Sequence, residues 1–127
     1  MENNLRIVVV VRNDLNMPMG KFGVQVGHAV ASTLYLASDE PILVHNYMEH
    51  LITSDVDSGQ TKIIVGVDSL EELLKVQDKA IDRGVYNALI KDAAKTFFSE
   101  PTITCLGIGP MSKTDSNYIT RGLRMIQ

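Results

Sequence analysis

Fully apolar runs and helix-periodic stripes alternate along the chain. Residues 6–11 read RIVVVV, apolar without alternation, which is typical of a strand buried on both faces. TKIIVGV, YNALI and TITCLGIG predict three more strands, and we expect Pro110 to end the last one. Helices are predicted over about 21–37, 42–53, 68–84 and 112–123. The order β-α-α-β-α-β-β-α predicts an α/β fold, with residues 1–127 as a single domain and helices packed on the faces of a mixed four-stranded sheet.

Two of the predicted helices carry informative patterns. In the first, small residues recur every four positions beside the apolar stripe, and we expect Gly23, Gly27 and Ala31 to let the helix lie close on the sheet. The third is the clearest helix, and Asp68 is expected to cap it together with Glu71. We expect its inward face to consist of Leu70, Leu73, Leu74, Gln77 and Ile81.

Composition narrows the class of protein. A chain of 127 residues with 45% hydrophobic and 21% charged residues is ordinary for a globular domain. Its one cysteine, Cys105, and an N-terminus without a signal or membrane segment predict a cytoplasmic protein with no membrane association. The net charge of -3 argues against a broad nucleic-acid footprint and leaves room for a local basic patch only.

The stretch DLNMPMGKFGVQVGHA, residues 14–29, carries the first candidate site. Lys21, Gln25, His28 and Ser32 fall within about 60° of one another around a helix axis. One interpretation is an ordinary solvated face. The other is a binding site, because a lysine in the first turn gains nothing from the helix dipole yet suits a phosphate or a developing oxyanion. The spacing alone leaves both open.

A second candidate lies in IKDAAKT, where Asp92 ends a buried strand and Thr96 follows four residues later. A carboxylate at a strand end is common in catalytic sites and also as a helix cap. Period-two alternation places Thr102 and Thr104 on one strand face, with Cys105 on the other. His45 and His50 lack metal-type spacing, and phosphate-loop or dinucleotide motifs are absent, so we predict no metal and no cofactor.

Taken together, several dispersed motifs resemble the type 2 peptidyl-tRNA hydrolases. They are VVVVRNDLNMPMGKFGVQVGHA, GQTKIIVGVDSLEELL, NALIKDAAKT, TITCLGIGP and the closing YITRGLRM, which run in the family's order from about residue 7 to 123. The resemblance implies a compact α/β domain and metal-independent hydrolysis of the ester that joins a peptide to tRNA. It also implies the acceptor end of peptidyl-tRNA as the partner and often a homodimer.

The resemblance further implies the site residues. Those implied for catalysis are Lys21, Asp92, Thr96 and Thr104. Those implied for substrate placement are Gly20, Gln25 and His28, together with the cations Arg12 and Lys95. A local phosphate-facing patch could be formed by the remaining cations Arg12, Lys91, Lys95, Lys113 and Arg121. We expect Asp92 to orient or deprotonate a water, directly or through Thr96, and Lys21 to stabilise negative charge or hold the terminal phosphate. An ion pair between the two would leave Asp92 a near-normal pKa.

Three departures from the family pattern keep other functions open. Ala94 replaces a glycine, Pro101 stands where a glycine is expected, and the basic turn before the first helix retains only Lys21. If the backbone at Ala94 needs a positive φ, the alanine is strained by about 1 kcal/mol or more. The alternatives are a non-catalytic RNA- or protein-binding module of the same fold, and a hydrolase of another small aminoacyl or acyl substrate.

Overall fold

The apolar runs form one mixed β-sheet in the computed structural model, which describes residues 5–53, 59–95 and 97–127. The strands are β1 Arg6–Arg12, β2 Thr61–Val67, β3 Asn87–Asp92, β4 Thr102–Met111 and β5 Arg124–Met125. The helices are α1 Met19–Ala37, α2 Pro41–Thr53, α3 Leu70–Asp82 and α4 Lys113–Ile119. The sheet order is β3-β4-β1-β2-β5, with β1 and β2 parallel and β4 antiparallel to β1 and β3. The predicted α/β class and element order are therefore confirmed.

The sheet has one strand more than the sequence predicts. β5 is two residues long and pairs antiparallel with Val65 and Gly66 of β2. Two residues are too few to show the alternation of apolar and polar positions that indicates a strand, so the sequence does not predict this one. Among the described residues, no helix has the combination of length and hydropathy that a membrane crossing requires.

The expectation that Pro110 ends the last strand is wrong. β4 continues through Pro110 to Met111, and Met111 pairs with Arg6 of β1. The β1–β4 register shifts between Arg6 and Val8, opposite the proline. An irregular step in the pairing accommodates a residue that has no N–H to donate.

Alternate residues of β1 serve the two faces of the sheet. Ile7, Val9 and Val11 pack on the side that carries α1 and Tyr47 of α2. Val8 and Val10 pack on the opposite side, together with α3 and α4. Since helices cover both faces, the five central positions of this strand, residues 7–11, are all buried, which accounts for their unbroken apolar sequence.

The close approach of α1 to the sheet comes from the strand and not from the helix. A Cβ at Gly107 of β4 would lie 2.2 Å from the Thr33 hydroxyl and 2.6 Å from the Ala29 carbonyl oxygen. Gly23 and Gly27 of α1 are exposed, and a Cβ at either would have no described atom within 4 Å. The expectation for the helix glycines is therefore wrong.

The capping pair of α3 is Ser69 with Glu72, so each member lies one residue later than the expected Asp68 and Glu71. The Ser69 hydroxyl accepts the Glu72 backbone N–H at 3.1 Å, and the Glu72 carboxylate accepts the Asp68 backbone N–H at 3.0 Å. Its buried side chains are Leu73, Val76 and Ala80. Leu74 and Ile81, expected on the inward face, are 38% and 58% exposed. The shifted face follows the i, i+3, i+7 positions that point at β1 and β4.

Candidate active site

The start of α1 and the end of β3 bring two opposite charges together. Lys21 lies in the first turn of α1, and Asp92 is the last residue of β3. The Lys21 Nζ is 2.5 Å from Asp92 Oδ1, and their side chains are 13% and 10% exposed. Because β3 runs parallel to β1, which leads into α1, these elements meet at the carboxyl edge of the sheet, where α/β folds commonly bind ligands.

The Asp92 carboxylate accepts hydrogen bonds from three described donors. Oδ1 accepts from Lys21 and, at 3.2 Å, from the Gln25 side-chain amide. Oδ2 accepts only the Ala94 backbone N–H, at 2.8 Å, among the residues that the structure describes. An ionised carboxylate offers about four acceptor positions. One position therefore remains on Oδ2 for a water or a substrate hydroxyl.

The hydrogen bond from Lys21 is the largest influence on Asp92 and lowers the pKa of its carboxyl group. The Ala94 amide lowers this pKa as well, against a smaller opposing effect of burial. The carboxyl group is thus ionised at neutral pH and is a weaker base than a near-normal pKa would make it. Its geometry suits it better for holding a water than for removing a proton from it.

Two buried polar side chains fix the position of the Asp92 carboxylate from the interior of the protein. The Thr104 hydroxyl donates to Gln25 Oε1 at 2.7 Å, and Gln25 in turn donates to Asp92. Gln25 is 1% exposed and Thr104 is fully buried. Buried polar groups that are fully satisfied fix one arrangement, because any other leaves a partner unpaired.

A β-bulge aims Thr104 at this network. Ile90 pairs with Cys105 and Lys91 with Ile103, so Thr104 is left unpaired between them. Thr104 and Cys105 consequently both face α1, where the Cys105 thiol donates to the Gln25 carbonyl oxygen at 3.4 Å. The expected alternation of Thr104 and Cys105 is wrong for this reason.

An open cleft of about 480 Å³ lies over the ion pair. It is lined by Gly20, Lys21, Val24, Gln25, His28, Asp92 and Phe97. Val24 and Phe97 are 52% and 46% exposed, so an apolar wall faces solvent beside the charges. The volume falls within the roughly 300–1,000 Å³ of small-ligand sites.

The structure brings together most of the expected residues but separates the two outer cations from the cleft. Thr96 lies outside the described residues. Lys95 is exposed in the loop after β3 and does not line the cleft. Arg12 donates twice to Asp14, at 3.2 and 2.7 Å, and once to the Ile103 carbonyl oxygen at 3.0 Å. It lines a second cleft nearby.

Sequence reasoning missed an aromatic pair at the rim. The Phe97 and Phe98 rings meet edge to face, with centroids 4.9 Å apart, and the Phe98 centroid is 5.7 Å from Lys21 Nζ. Two adjacent aromatics in the otherwise polar AAKTFFSEP, just after Asp92, were the available signal. Ala94 has φ +66, so the condition for backbone strain is met. In the part of the chain described, no three His, Cys, Asp or Glu residues form a metal-binding group.

A family model and two curated relatives indicate the same family. The family model described as peptidyl-tRNA hydrolase PTH2 matches residues 5–126. A protein of Sulfurisphaera tokodaii named peptidyl-tRNA hydrolase is 38% identical over 95% of this chain and 98% of its own. One of Metallosphaera sedula with the same name is 35% identical over 96% of this chain and 100% of its own. A solved protein of unknown function from Agrobacterium tumefaciens strain C58 shares the fold, with a TM-score of 0.64 at 12% identity over 98% of both chains.

Proposed function

This chain belongs to the peptidyl-tRNA hydrolase PTH2 family, and we propose that it performs the family's reaction in the cleft over Lys21 and Asp92. The reaction is the hydrolysis of the ester between peptide and tRNA. A water oxygen bonds to the ester carbonyl carbon and the bond to the ribose oxygen breaks. One proton of the water passes to the ribose oxygen and the other is released to solvent. Free tRNA and a peptide carboxylate leave.

Asp92 holds the attacking water in this proposal. Its Oδ2 has an acceptor position left beside the cleft, whereas Oδ1 is occupied by Lys21 and Gln25. This is the observation that carries the assignment. A water held at a fixed carboxylate oxygen is already oriented for attack, and such placement alone lowers a barrier substantially. The lowered pKa of Asp92 makes placement its main contribution.

Lys21 provides the positive charge. As the water attacks, negative charge collects on the ester carbonyl oxygen, and an ammonium group beside Asp92 lies close to that position. The charge is partly shielded from solvent, since the side chain is 13% exposed, and electrostatic stabilisation is stronger there than in bulk water. The same group could instead hold a substrate phosphate.

Gln25 and Thr104 act through Asp92. Thr104 is fully buried and donates to Gln25, so its hydroxyl reaches the substrate only by way of the amide and the carboxylate. We therefore assign both residues a positioning role. His28 and Gly20 line the cleft and are placed to contact the substrate directly.

Three further residues complete the proposal. Lys95 is exposed close to the end of β3, where a lysine can contact tRNA phosphates. Arg12 lines the second cleft, where a guanidinium can contact a phosphate. Thr96, which lies outside the described residues, keeps the catalytic role that the family resemblance implies. The mechanism requires no cofactor.

We also propose a cytoplasmic homodimer. The substrate is a by-product of translation, which accounts for the location. Exposed apolar side chains at the end of α1 and the start of α2 offer a contact surface, with Tyr35 79% and Ile42 76% exposed. Light scattering coupled to size exclusion should give a mass of twice the 14.0 kDa chain, and Ile42→Glu should reduce it to the monomer.

The two other functions considered are less well supported. The relatives carry the name peptidyl-tRNA hydrolase, and the match to this chain extends over nearly their whole length. Both facts disfavour a non-catalytic binding module. A different acyl substrate would have no need of tRNA phosphates, so its turnover would be insensitive to salt.

The test is release of peptide from peptidyl-tRNA by the purified protein at 50 and 200 mM salt, with and without EDTA. We expect hydrolysis that weakens as salt rises, because phosphate contacts release counterions. EDTA should leave the rate unchanged. Absence of hydrolysis at both salt concentrations would contradict the proposal, and a rate that does not depend on salt would favour the small-substrate alternative.

A further inference from the structure

A second cleft, of about 500 Å³, lies on the other side of the strand that ends in Asp92. Its walls include Arg12 from β1, Lys91 from β3, and Phe98 and Pro101 from the loop between β3 and β4. Lys91 and Asp92 are neighbours in a strand, so their side chains point to opposite faces of the sheet. The two clefts therefore flank the edge at which β3 ends.

The aromatic pair forms the wall between the two clefts. Phe97 lines the catalytic cleft and Phe98 lines the second one, and their rings are in contact. Lys21 contacts residues of both clefts, because its Nζ forms the ion pair with Asp92 and lies 5.7 Å from the centroid of the Phe98 ring. An ester located at Lys21 and Asp92 would thus have one substituent in each cleft.

The two clefts differ in charge and in polarity. In the catalytic cleft Lys21 is paired with Asp92, and the exposed wall of Val24 and Phe97 is apolar. The second cleft has two cations, Arg12 and Lys91, against one carboxylate, Glu100.

The cation available to a ligand in the second cleft is Lys91. Arg12 is engaged by Asp14 and by the Ile103 carbonyl oxygen. Lys91 is exposed and makes no ion pair with any described residue. A cation next to an aromatic ring is the combination that binds a nucleotide, with the phosphate on the lysine and the base against the ring.

We propose that the second cleft binds the 3′-terminal nucleotide of the tRNA, with its base against Phe98 and its phosphate on Lys91, while the peptide lies along Val24 and Phe97. This inference rests on the proposed function and adds to it a direction for the substrate across the aromatic wall. Pro101, where the family pattern has glycine, adds a rigid apolar surface to the nucleotide side.

Kinetics of Lys91→Ala and Phe98→Ala on peptidyl-tRNA test the proposal. Loss of one base stack corresponds to a rise in KM on the order of ten-fold for Phe98→Ala. Phe98→Tyr, which keeps the ring, should restore the wild-type KM. Lys91→Ala should reduce the slope of log(kcat/KM) against log[salt] by about 0.7, the value for one single-strand phosphate, with kcat unchanged. The matched control is Lys75→Ala on α3, a 71% exposed lysine paired with Glu71, which should change neither.

A binding experiment checks the direction independently of turnover. Adenosine 5′-monophosphate titrated into the wild-type protein should shift the backbone amide resonances of residues 98–100 and 102 and leave those of 24–28 in place. Shifts confined to residues 24–28 would overturn the proposal, as would wild-type KM and salt slope in both alanine variants. Neither result would affect the proposed function, which fails only if the wild-type protein does not hydrolyse peptidyl-tRNA.

Discussion

The helices α1 and α3 lie on opposite faces of the same sheet and follow opposite rules at their N-termini. α3 has a Ser69 cap, acidic residues in its first turn and Lys79 in its last turn, as the helix dipole favours. α1 begins after Pro18, none of the described side chains caps it, and its first turn carries Lys21. An acidic residue in place of Lys21 would stabilise this helix better, so the charge at the start of α1 is better explained by function than by stability.

The buried residues of the two helices also differ in polarity. α3 buries only apolar side chains, whereas α1 buries Gln25 and Thr33 among its four fully buried positions. The Gln25 side chain donates a hydrogen bond to Asp92 and accepts one from Thr104. The comparison indicates that the α3 face mainly supplies stability, and that the α1 face gives up some apolar packing to hold a carboxylate in place.

The largest effect on stability should come from the α3 face. Leu73 is fully buried, and Leu73→Ala should lower the free energy of unfolding by about 2–5 kcal/mol, because it leaves a cavity. Urea denaturation measures the loss. The kcat per folded molecule should stay at the wild-type value. A clear fall in kcat would contradict the claim that the α3 face contributes mainly to stability.

On the α1 face, Thr104→Val should affect both stability and catalysis. It leaves Gln25 Oε1 without its buried donor, at a cost of about 1–3 kcal/mol, and loosens the hold on Asp92. We expect kcat to fall roughly ten-fold with little change in KM. Thr33→Val is the matched control: its hydroxyl, equally buried, donates only to the Ala29 carbonyl oxygen of its own helix, so kcat should not change. Equal kcat values for the two variants would contradict the positioning role.

Ala94→Gly should give a smaller effect of the opposite sign. With φ at +66, Ala94 carries strain that glycine lacks, so the variant should gain about 1 kcal/mol of stability. The neighbouring exposed Ala93 has no positive φ, and Ala93→Gly should bring no gain. Thermal unfolding of the two variants side by side measures the difference, and a loss of stability in Ala94→Gly would count against the strain.

The smallest expected effect is on the titration of Asp92. Its carboxyl 13C resonance should titrate below the ordinary aspartate pKa of about 3.9 in the wild type, and higher in Lys21→Met, because Lys21 is the largest cause of the lowering. A lowered folded-state pKa stabilises the protein above the unfolded-state pKa, and that contribution disappears as pH falls through the folded-state value. An unchanged pKa in Lys21→Met would show that the ion pair is not the cause.

Much of the fold was predictable because burial on two faces leaves a strong pattern. RIVVVV and TKIIVGV read directly as β1 and β2. The errors in the sheet arose where pairing between strands decides the outcome, and those in the helices where packing decides which residues face the sheet. The bulge at Thr104, the passage of β4 through Pro110 and the two-residue β5 all depend on a neighbouring strand that a single segment does not reveal.

The site was predictable in part for a similar reason. Lys21, Gln25 and His28 share one helix face, which spacing alone indicates, and the family resemblance paired them with Asp92. The second cleft was not predictable, because Arg12, Lys91 and Phe98 come together only through the order of the strands.

The central claim is that the main role of the Lys21–Asp92 pair is hydrolysis and that its contribution to stability is secondary. The most direct measurement is kcat for peptidyl-tRNA together with the melting temperature, on the same preparation of Asp92→Asn. Asparagine keeps the shape but loses the charge and one acceptor, so we predict a fall in kcat on the order of 100-fold or more. The melting temperature should fall only modestly, because Lys21 loses its partner but keeps some exposure to solvent. Wild-type kcat in Asp92→Asn would contradict the account.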